Sequence, residues 1–150
     1  MKILVLNGPN LNLLGSREPE IYGKETLADI ETQLRTCAKQ LSADIKIEFR
    51  QSNSEAELIT WIGETRRVYD GIIINPAALT HTSLGLYDAL KAVSDLVPAV
   101  EVHLSNTHTR EKIRQKNLTA SACVGQIMGF KGFGYTLALQ ALIETLSNRR

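Results

Sequence analysis

Two stretches of this chain, Ile3-Leu4-Val5-Leu6 and Ile72-Ile73-Ile74, are apolar without interruption, yet only four and three residues long. A strand with one wet face alternates apolar and polar side chains, whereas an unbroken run belongs to a strand that is dry on both faces. Helices must then cover both sides, which calls for an α/β architecture with a parallel sheet in the middle layer. The remaining sequence supplies the parts. Strands are predicted at about Ile3–Asn7, Asp44–Gln51, Gly71–Asn75, Ala99–Leu104 and Ala122–Met128. Between the first two, Leu27, Ile30, Leu34, Cys37 and Leu41 recur at three- and four-residue intervals, which marks one face of a helix. Ser54 followed by Glu57 has the form of a capping box and opens a second helix that carries Leu58, Trp61 and Ile62 inward. A third helix is predicted over about Leu84–Leu96 and a last one over about Tyr135–Ser147.

The strands also suggest their order. Ile45, Ile47 and Phe49 alternate with Lys46, Glu48 and Arg50, the pattern of a sheet edge. An edge second strand beside a central first strand, with right-handed crossovers throughout, gives a five-stranded parallel sheet of order 2-1-3-4-5. This is a flavodoxin-like three-layer sandwich. No internal repeat, low-complexity tract or linker interrupts it, so residues 1–150 are expected to form a single domain.

Charge narrows the function. Seventeen basic and sixteen acidic side chains leave a formal charge of +1, without the basic excess that nucleic-acid or membrane-surface binding requires. No stretch approaches transmembrane length, and the opening apolar run stops at Asn7-Gly8-Pro9, as a strand does and a signal peptide does not. Cys37 and Cys123 are far apart and lack metal-ligand spacing, so two reduced, buried thiols and a cytoplasmic location are expected.

Ligands of open parallel sheets bind beyond the carboxyl ends of the strands. Those ends carry Gly8-Pro9-Asn10, Ser52-Asn53, Asn75-Pro76 and His103-Leu104-Ser105. Turn formation accounts equally well for any one of these loops; their coincidence at strands 1, 3 and 4 argues for a polar rim that holds a small molecule. The connection from Gly8 to about Lys24 is long for a strand-to-helix link, and long loops in compact domains are commonly lids. It holds Arg17 and Tyr22 five positions apart, with Gly15 and Gly23 as hinges. A phenol ordinarily ionises near pH 10 and is a poor base at neutrality. A permanently charged guanidinium beside it favours the phenolate, so the pair could abstract a proton, although Arg and Tyr in a loop are also ordinary surface residues.

Glu101 lies two residues before His103 on a strand, which puts both side chains on one face. A carboxylate beside an imidazole stabilises the imidazolium and makes His103 a general acid; a core histidine bonded to backbone is the alternative. His81, in Leu79-Thr80-His81-Thr82-Ser83, precedes a helix start, where hydroxyls and N–H groups can hold an anionic or hydroxylated ligand or simply cap the helix. Asp88 lies about a turn into that helix, and Arg114, in the polar Thr107–Lys116 segment, could bind a carboxylate; each is also an ordinary surface position.

Four separated motifs carry a family resemblance. Asn7-Gly8-Pro9-Asn10-Leu11-Asn12-Leu13-Leu14-Gly15 with Arg17-Glu18-Pro19 and Tyr22-Gly23 is similar to the type II 3-dehydroquinate dehydratases. So are Asn75-Pro76-Ala77-Ala78 with Thr80-His81-Thr82-Ser83, Glu101-Val102-His103-Leu104-Ser105-Asn106 and the closing Gly134-Tyr135, over about residues 3–145. The resemblance implies a hydro-lyase without a cofactor or a metal, which removes water from 3-dehydroquinate by anti elimination through an enolate. The same reaction serves aromatic amino acid biosynthesis by the shikimate pathway and the breakdown of quinate. By the same resemblance Tyr22 is the base and Arg17 keeps it ionised. Asn10 holds a water against the enolate oxygen, and His103 protonates the departing hydroxyl with Glu101 supporting its charge. Asn75, His81, Asp88, Arg114 and the backbone around Leu104 and Ser105 hold the substrate, and the segment from Leu13 to Tyr22 closes over it. The family assembles as homododecamers, tetramers of trimers, in which a neighbouring subunit's Asp88 region approaches the site. Tyr87 departs from the pattern, since many relatives carry arginine there.

Other classes fit parts of the sequence. A flavodoxin-like small-ligand binding or signalling module would need a glycine-rich first loop or acidic strand ends, where this chain has Pro9, Asn7 and Asn75. A Schiff-base lyase needs a desolvated lysine, yet Lys46 is on the outward face of strand 2 and Lys24, Lys112 and Lys116 lie in polar surroundings. Three histidines without HxH or HxxxH spacing make a poor metal set.

Overall fold

Alternation along the buried strands decides which side chain meets which helix. The computed structural model describes residues 1–149. Its strands β1 (Lys2–Asn7), β2 (Lys46–Gln51), β3 (Gly71–Asn75), β4 (Ala99–His103) and β5 (Gly125–Met128) pair in parallel in the order β2-β1-β3-β4-β5. The helices are α1 (Pro19–Tyr22), α2 (Leu27–Leu41), α3 (Glu55–Gly63), α4 (Leu84–Val93) and α5 (Phe133–Ser147). Ile3, Val5, Ile73, Val100 and Val102 turn to one face and pack with Ile30 and Leu34 of α2 and Ala138 and Leu139 of α5. Leu4, Leu6, Ile72 and Ile74 turn to the other and pack with Leu58 and Ile62 of α3 and Leu86 and Leu90 of α4. The expected order and layering are therefore observed.

The departures are local and have physical causes. Strand β5 begins at Gly125 rather than Ala122, because Thr119–Ala122 form a 3-10 turn that buries Thr119 and Ala122. Helix α4 stops at Val93, whose carbonyl accepts from the N–H groups of Leu96 and Val97 in a closing turn ahead of Pro98. The capping box expected at Ser54 is only half formed. Ser54 accepts from Glu57 N at 3.3 Å, but the Glu57 carboxylate takes the Ser52 hydroxyl instead. A complete box sits at α2, where Thr26 and Asp29 exchange both bonds. Trp61 is half-buried rather than a core residue and lies under Arg50, whose guanidinium carbon is 5.3 Å from the ring centroid. Leu41, at the end of the predicted apolar face of α2, is 44% exposed. Cys37 and Cys123 are unpaired as expected, but half-buried rather than buried. None of the described helices is long and apolar enough to cross a membrane.

One crowded crossing sets the floor of the rim. Gly8 N donates to Asn75 O at 2.8 Å, so the loop leaving β1 passes directly over the loop leaving β3. A Cβ on Gly8 would stand 2.5 Å from the Pro76 carbonyl oxygen, backbone that cannot swing aside. Gly8→Ala is expected to destabilise the fold by about 1–3 kcal/mol, as an overpacked position does. Urea unfolding measures it, and a wild-type midpoint would contradict the crowding.

Candidate active site

At the carboxyl ends of β1, β3 and β4 a cavity of about 190 Å³ opens. Of the residues singled out from sequence, Asn10, Arg17, Tyr22, Asn75, His81, His103, Leu104, Ser105 and Arg114 line it. Glu101 stands behind His103, wholly buried. Asp88 does not join them, because it is exposed on α4 outside the cavity lining. Arg110 and Thr107 line the cavity as well and had not been singled out. They belong to a segment of short 3-10 turns, Thr107–Thr109 and Lys112–Arg114, where no periodicity distinguishes an inward Arg110 from Lys112.

The segment between β1 and α2 is more structured than a bare loop. It folds into a 3-10 turn, Leu11–Leu13, and the single helical turn of α1. Asn10 takes a left-handed conformation at φ 68°, which asparagine tolerates better than most residues, and its N–H donates to the Asn53 side chain at 2.9 Å. Gly15 and Gly23 have φ of 90° and 92°, values that favour glycine, and they bracket the stretch that carries Arg17 and Tyr22.

Two cations meet Tyr22. The Arg17 guanidinium carbon lies 5.3 Å from the ring centroid while its Nε pairs with Glu18 at 3.2 Å. Arg110 lies 5.6 Å from the same centroid, and its Nη1 donates to the phenol oxygen at 3.4 Å and to Ser105 Oγ at 3.1 Å. Arg17 thus supplies a field and a stacking surface, whereas Arg110 reaches the phenol oxygen.

Elsewhere in the lining, His103 Nε2 and Glu101 Oε1 are 2.6 Å apart. An ionised carboxylate only accepts, so Nε2 donates and Nδ1 is left without a protein partner among the described residues. Burial by itself pushes the Glu101 carboxyl up; the His103 bond and charge, then the Thr119 and Thr80 hydroxyls, outweigh it and hold the group below its ordinary range. His81 donates Nδ1–H to the Lys116 carbonyl at 2.7 Å, which leaves Nε2 as its free acceptor. Arg114 keeps its Nε on Glu111 at 2.9 Å. Among the described lining residues, Arg17, Arg110 and Arg114 are cations and none is a carboxylate or a lysine, a balance suited to an anionic ligand. No group of three or more His, Cys, Asp or Glu side chains is arranged as a metal set among the described residues.

A buried polar triad fixes the rim from below. Asn7 and Asn75 are register partners on β1 and β3. Tyr135 of α5 donates to Asn7 Oδ1 at 2.7 Å and accepts from Asn75 Nδ2 at 3.0 Å, while Ala77 N closes onto Asn75 Oδ1 at 3.1 Å. Burial drives the Tyr135 phenol pKa far up, so it stays a neutral donor. Tyr135→Phe orphans an acceptor and a donor together, and about 2–4 kcal/mol of stability is expected to go with them, read from urea unfolding. A change under half a kilocalorie would deny the triad its role.

This geometry can be set beside known proteins. The family model described as Dehydroquinase class II matches residues 1–143. A 3-dehydroquinate dehydratase of Carboxydothermus hydrogenoformans is 56% identical over 149 residues, 99% of this chain and 94% of that one. One from a Chelativorans species is 54% identical over 144 residues, 96% of this chain and 97% of the relative. The crystal structure of a type II dehydroquinase from Butyrivibrio crossotus superposes with a TM-score of 0.91 at 43% identity, covering 95% of this chain and 97% of that one.

Proposed function

This chain belongs to the class II dehydroquinase family, and from that premise we propose how its residues carry out the family's reaction. It is a 3-dehydroquinate dehydratase, a hydro-lyase of the shikimate pathway. The reading is an anti elimination through an enolate, run by one catalytic domain without a cofactor, in aromatic amino acid biosynthesis. Tyr22 as phenolate takes the proton at C2, with Arg17 and Arg110 holding the charge. Asn10 orients a water toward the enolate oxygen, where negative charge grows. His103, through Nδ1, protonates the hydroxyl as it departs, and Glu101 stabilises the imidazolium. Asn75, His81, Ser105, Arg114 and the backbone at Leu104 hold the ring hydroxyls and the carboxylate. The Leu13–Tyr22 segment closes over the bound substrate and shuts out water.

One observation carries this reading: a phenol contacted by two guanidinium groups and an imidazole backed by a buried carboxylate line the same small cavity. An anti elimination requires a base and an acid at one site, acting on opposite faces of the substrate. Among the described residues the cavity lining includes no lysine, so imine formation has no amine to start from there. The decisive experiment follows the absorbance of the conjugated enone from 3-dehydroquinate with EDTA present. Product formation that the chelator leaves unchanged supports the reading, and absence of product defeats it.

The assembly inferred with this function is a cytoplasmic homododecamer, a tetramer of trimers. Asp88, exposed and away from its own chain's cavity, suits a residue that serves a neighbour's site. Light scattering tests the mass directly.

A further inference from the structure

The acid half of the site depends on a carboxylate that no solvent reaches. Glu101 is 0% exposed, and it stays ionised only because hydrogen-bond donors surround it. Its two oxygens are served unequally. Oε1 faces His103 Nε2 at 2.6 Å, Gln126 Nε2 at 3.0 Å and Thr80 Oγ1 at 2.9 Å. The donor at Oε2 is the hydroxyl of Thr119, at 2.6 Å.

Proton counting resolves the crowding. Each threonine hydroxyl has one proton to give. Thr119 spends its own on Oε2, which leaves its oxygen free to accept. Thr80 Oγ1 lies 2.8 Å from that oxygen, and Oε1 already has two nitrogen donors. Thr80 Oγ1, 2.9 Å from Oε1, therefore shares its one proton between the carboxylate and the Thr119 hydroxyl, a chain of hydroxyls whose bonds polarise one another. Both threonines are 0% exposed, and their loops are tied together by Leu118 N donating to Thr80 O at 2.7 Å.

We propose that Thr119 is a positioning residue for the elimination: its hydroxyl, reinforced by Thr80, fixes the Glu101 carboxylate and through it the orientation and charge of the His103 ring. This rests on the reading of His103 as the acid. With Oε2 held by Thr119, Oε1 stays directed at Nε2, and Nδ1 is left for the substrate. The titratable groups close to Glu101 are His103 on its own strand and Cys123 just beyond the Thr119 turn; burial, then the charge of Glu101, raises the Cys123 thiol so far that it stays neutral. Thr80, Thr119 and Gln126, which approach from the other elements, do not titrate. Activity falls on the basic limb as the acid His103 loses its proton, so a change in that limb of the rate profile reports on the Glu101–His103 pair.

The experiment is kinetics on Thr119→Val, which keeps the shape and removes the hydroxyl, with Thr119→Ser as the rescue. Thr119→Val is expected to lower kcat about tenfold, part of the 10²–10⁴-fold a general acid supplies, with KM within about twofold. Its basic limb moves to lower pH, because a Glu101 carboxylate that is no longer held in place stabilises the His103 imidazolium less. Thr119→Ser stays close to wild type. A Thr119→Val enzyme with wild-type kcat and basic limb overturns the proposal, as does a Thr119→Ser enzyme impaired as badly as Thr119→Val, which would make the residue a packing element. Should Thr119→Val not fold, Thr80→Val carries the test: a smaller loss of kcat with the same direction of shift supports the chain, and no change overturns it. His103→Ala runs in parallel. Full activity there would remove the underlying reading, whereas an inactive His103→Ala beside an unimpaired Thr119→Val would remove this proposal alone.

Discussion

Tyr22→Phe is expected to lower kcat by about 10²–10⁴-fold, the range that a positioned general base supplies, while substrate binding survives. The substitution deletes one oxygen and keeps the ring, so the stacking surface met by Arg17 and Arg110 remains. What disappears is the acceptor proposed for the C2 proton and the partner of Arg110 Nη1 at 3.4 Å. Because that acceptor matters only as the proton moves, the loss should fall on kcat and leave KM within a few-fold. Equilibrium binding of substrate to the inactive variant provides the check on ground-state affinity. Turnover within tenfold of wild type would require another base, and the assignment of Tyr22 would be withdrawn.

His103→Ala should remove activity to a similar extent and, unlike Tyr22→Phe, should also weaken the fold. Breaking one side of a buried pair leaves a charge without its partner, a loss of about 3 kcal/mol in typical cases. The pH dependence has a definite sign. Glu101 is held below its ordinary value near 4.5 in the folded protein. Its ionisation therefore contributes stability that is present above the unfolded-state value and is lost as pH falls through the lower folded value. Without His103 the largest favourable cause is gone while burial, which raises the group, persists. Acid unfolding of His103→Ala should accordingly begin at higher pH than in the wild type. Circular dichroism across an acid titration measures this, and coincident curves would mean that the imidazole does not hold the carboxylate.

The middle layer was readable because dry strands need unbroken apolar runs, and Ile3–Leu6 and Ile72–Ile74 have them. The position of the rim follows from strand polarity, which is why residues at the ends of β1, β3 and β4 could be named as neighbours from sequence. The Glu101–His103 contact was readable for a simpler reason, since a strand returns to the same face every second residue. Arg110 was not, because the turns between β4 and β5 have no period that aims one side chain inward. Thr80, Thr119 and Gln126 were hidden by distance along the chain. Their bonds to Glu101 span 21, 18 and 25 residues, and nothing in a threonine's neighbours announces that its hydroxyl faces a buried carboxylate. The extra length assigned to β5 and the inward Trp61 came from reading apolar character as burial, where a turn and a cation over the ring intervened.

The bond from Tyr135 to Asn7 joins residues 128 positions apart, nearly the two ends of the molecule. Every residue assigned to the chemistry precedes α5, yet the hydroxyl that ties β1 to β3 under the rim arrives with that last helix. A nascent chain still attached to the ribosome can expose all of its reacting groups and have no working enzyme. Activity should appear only after α5 has left the exit tunnel and docked, so synthesis itself delays the first turnover.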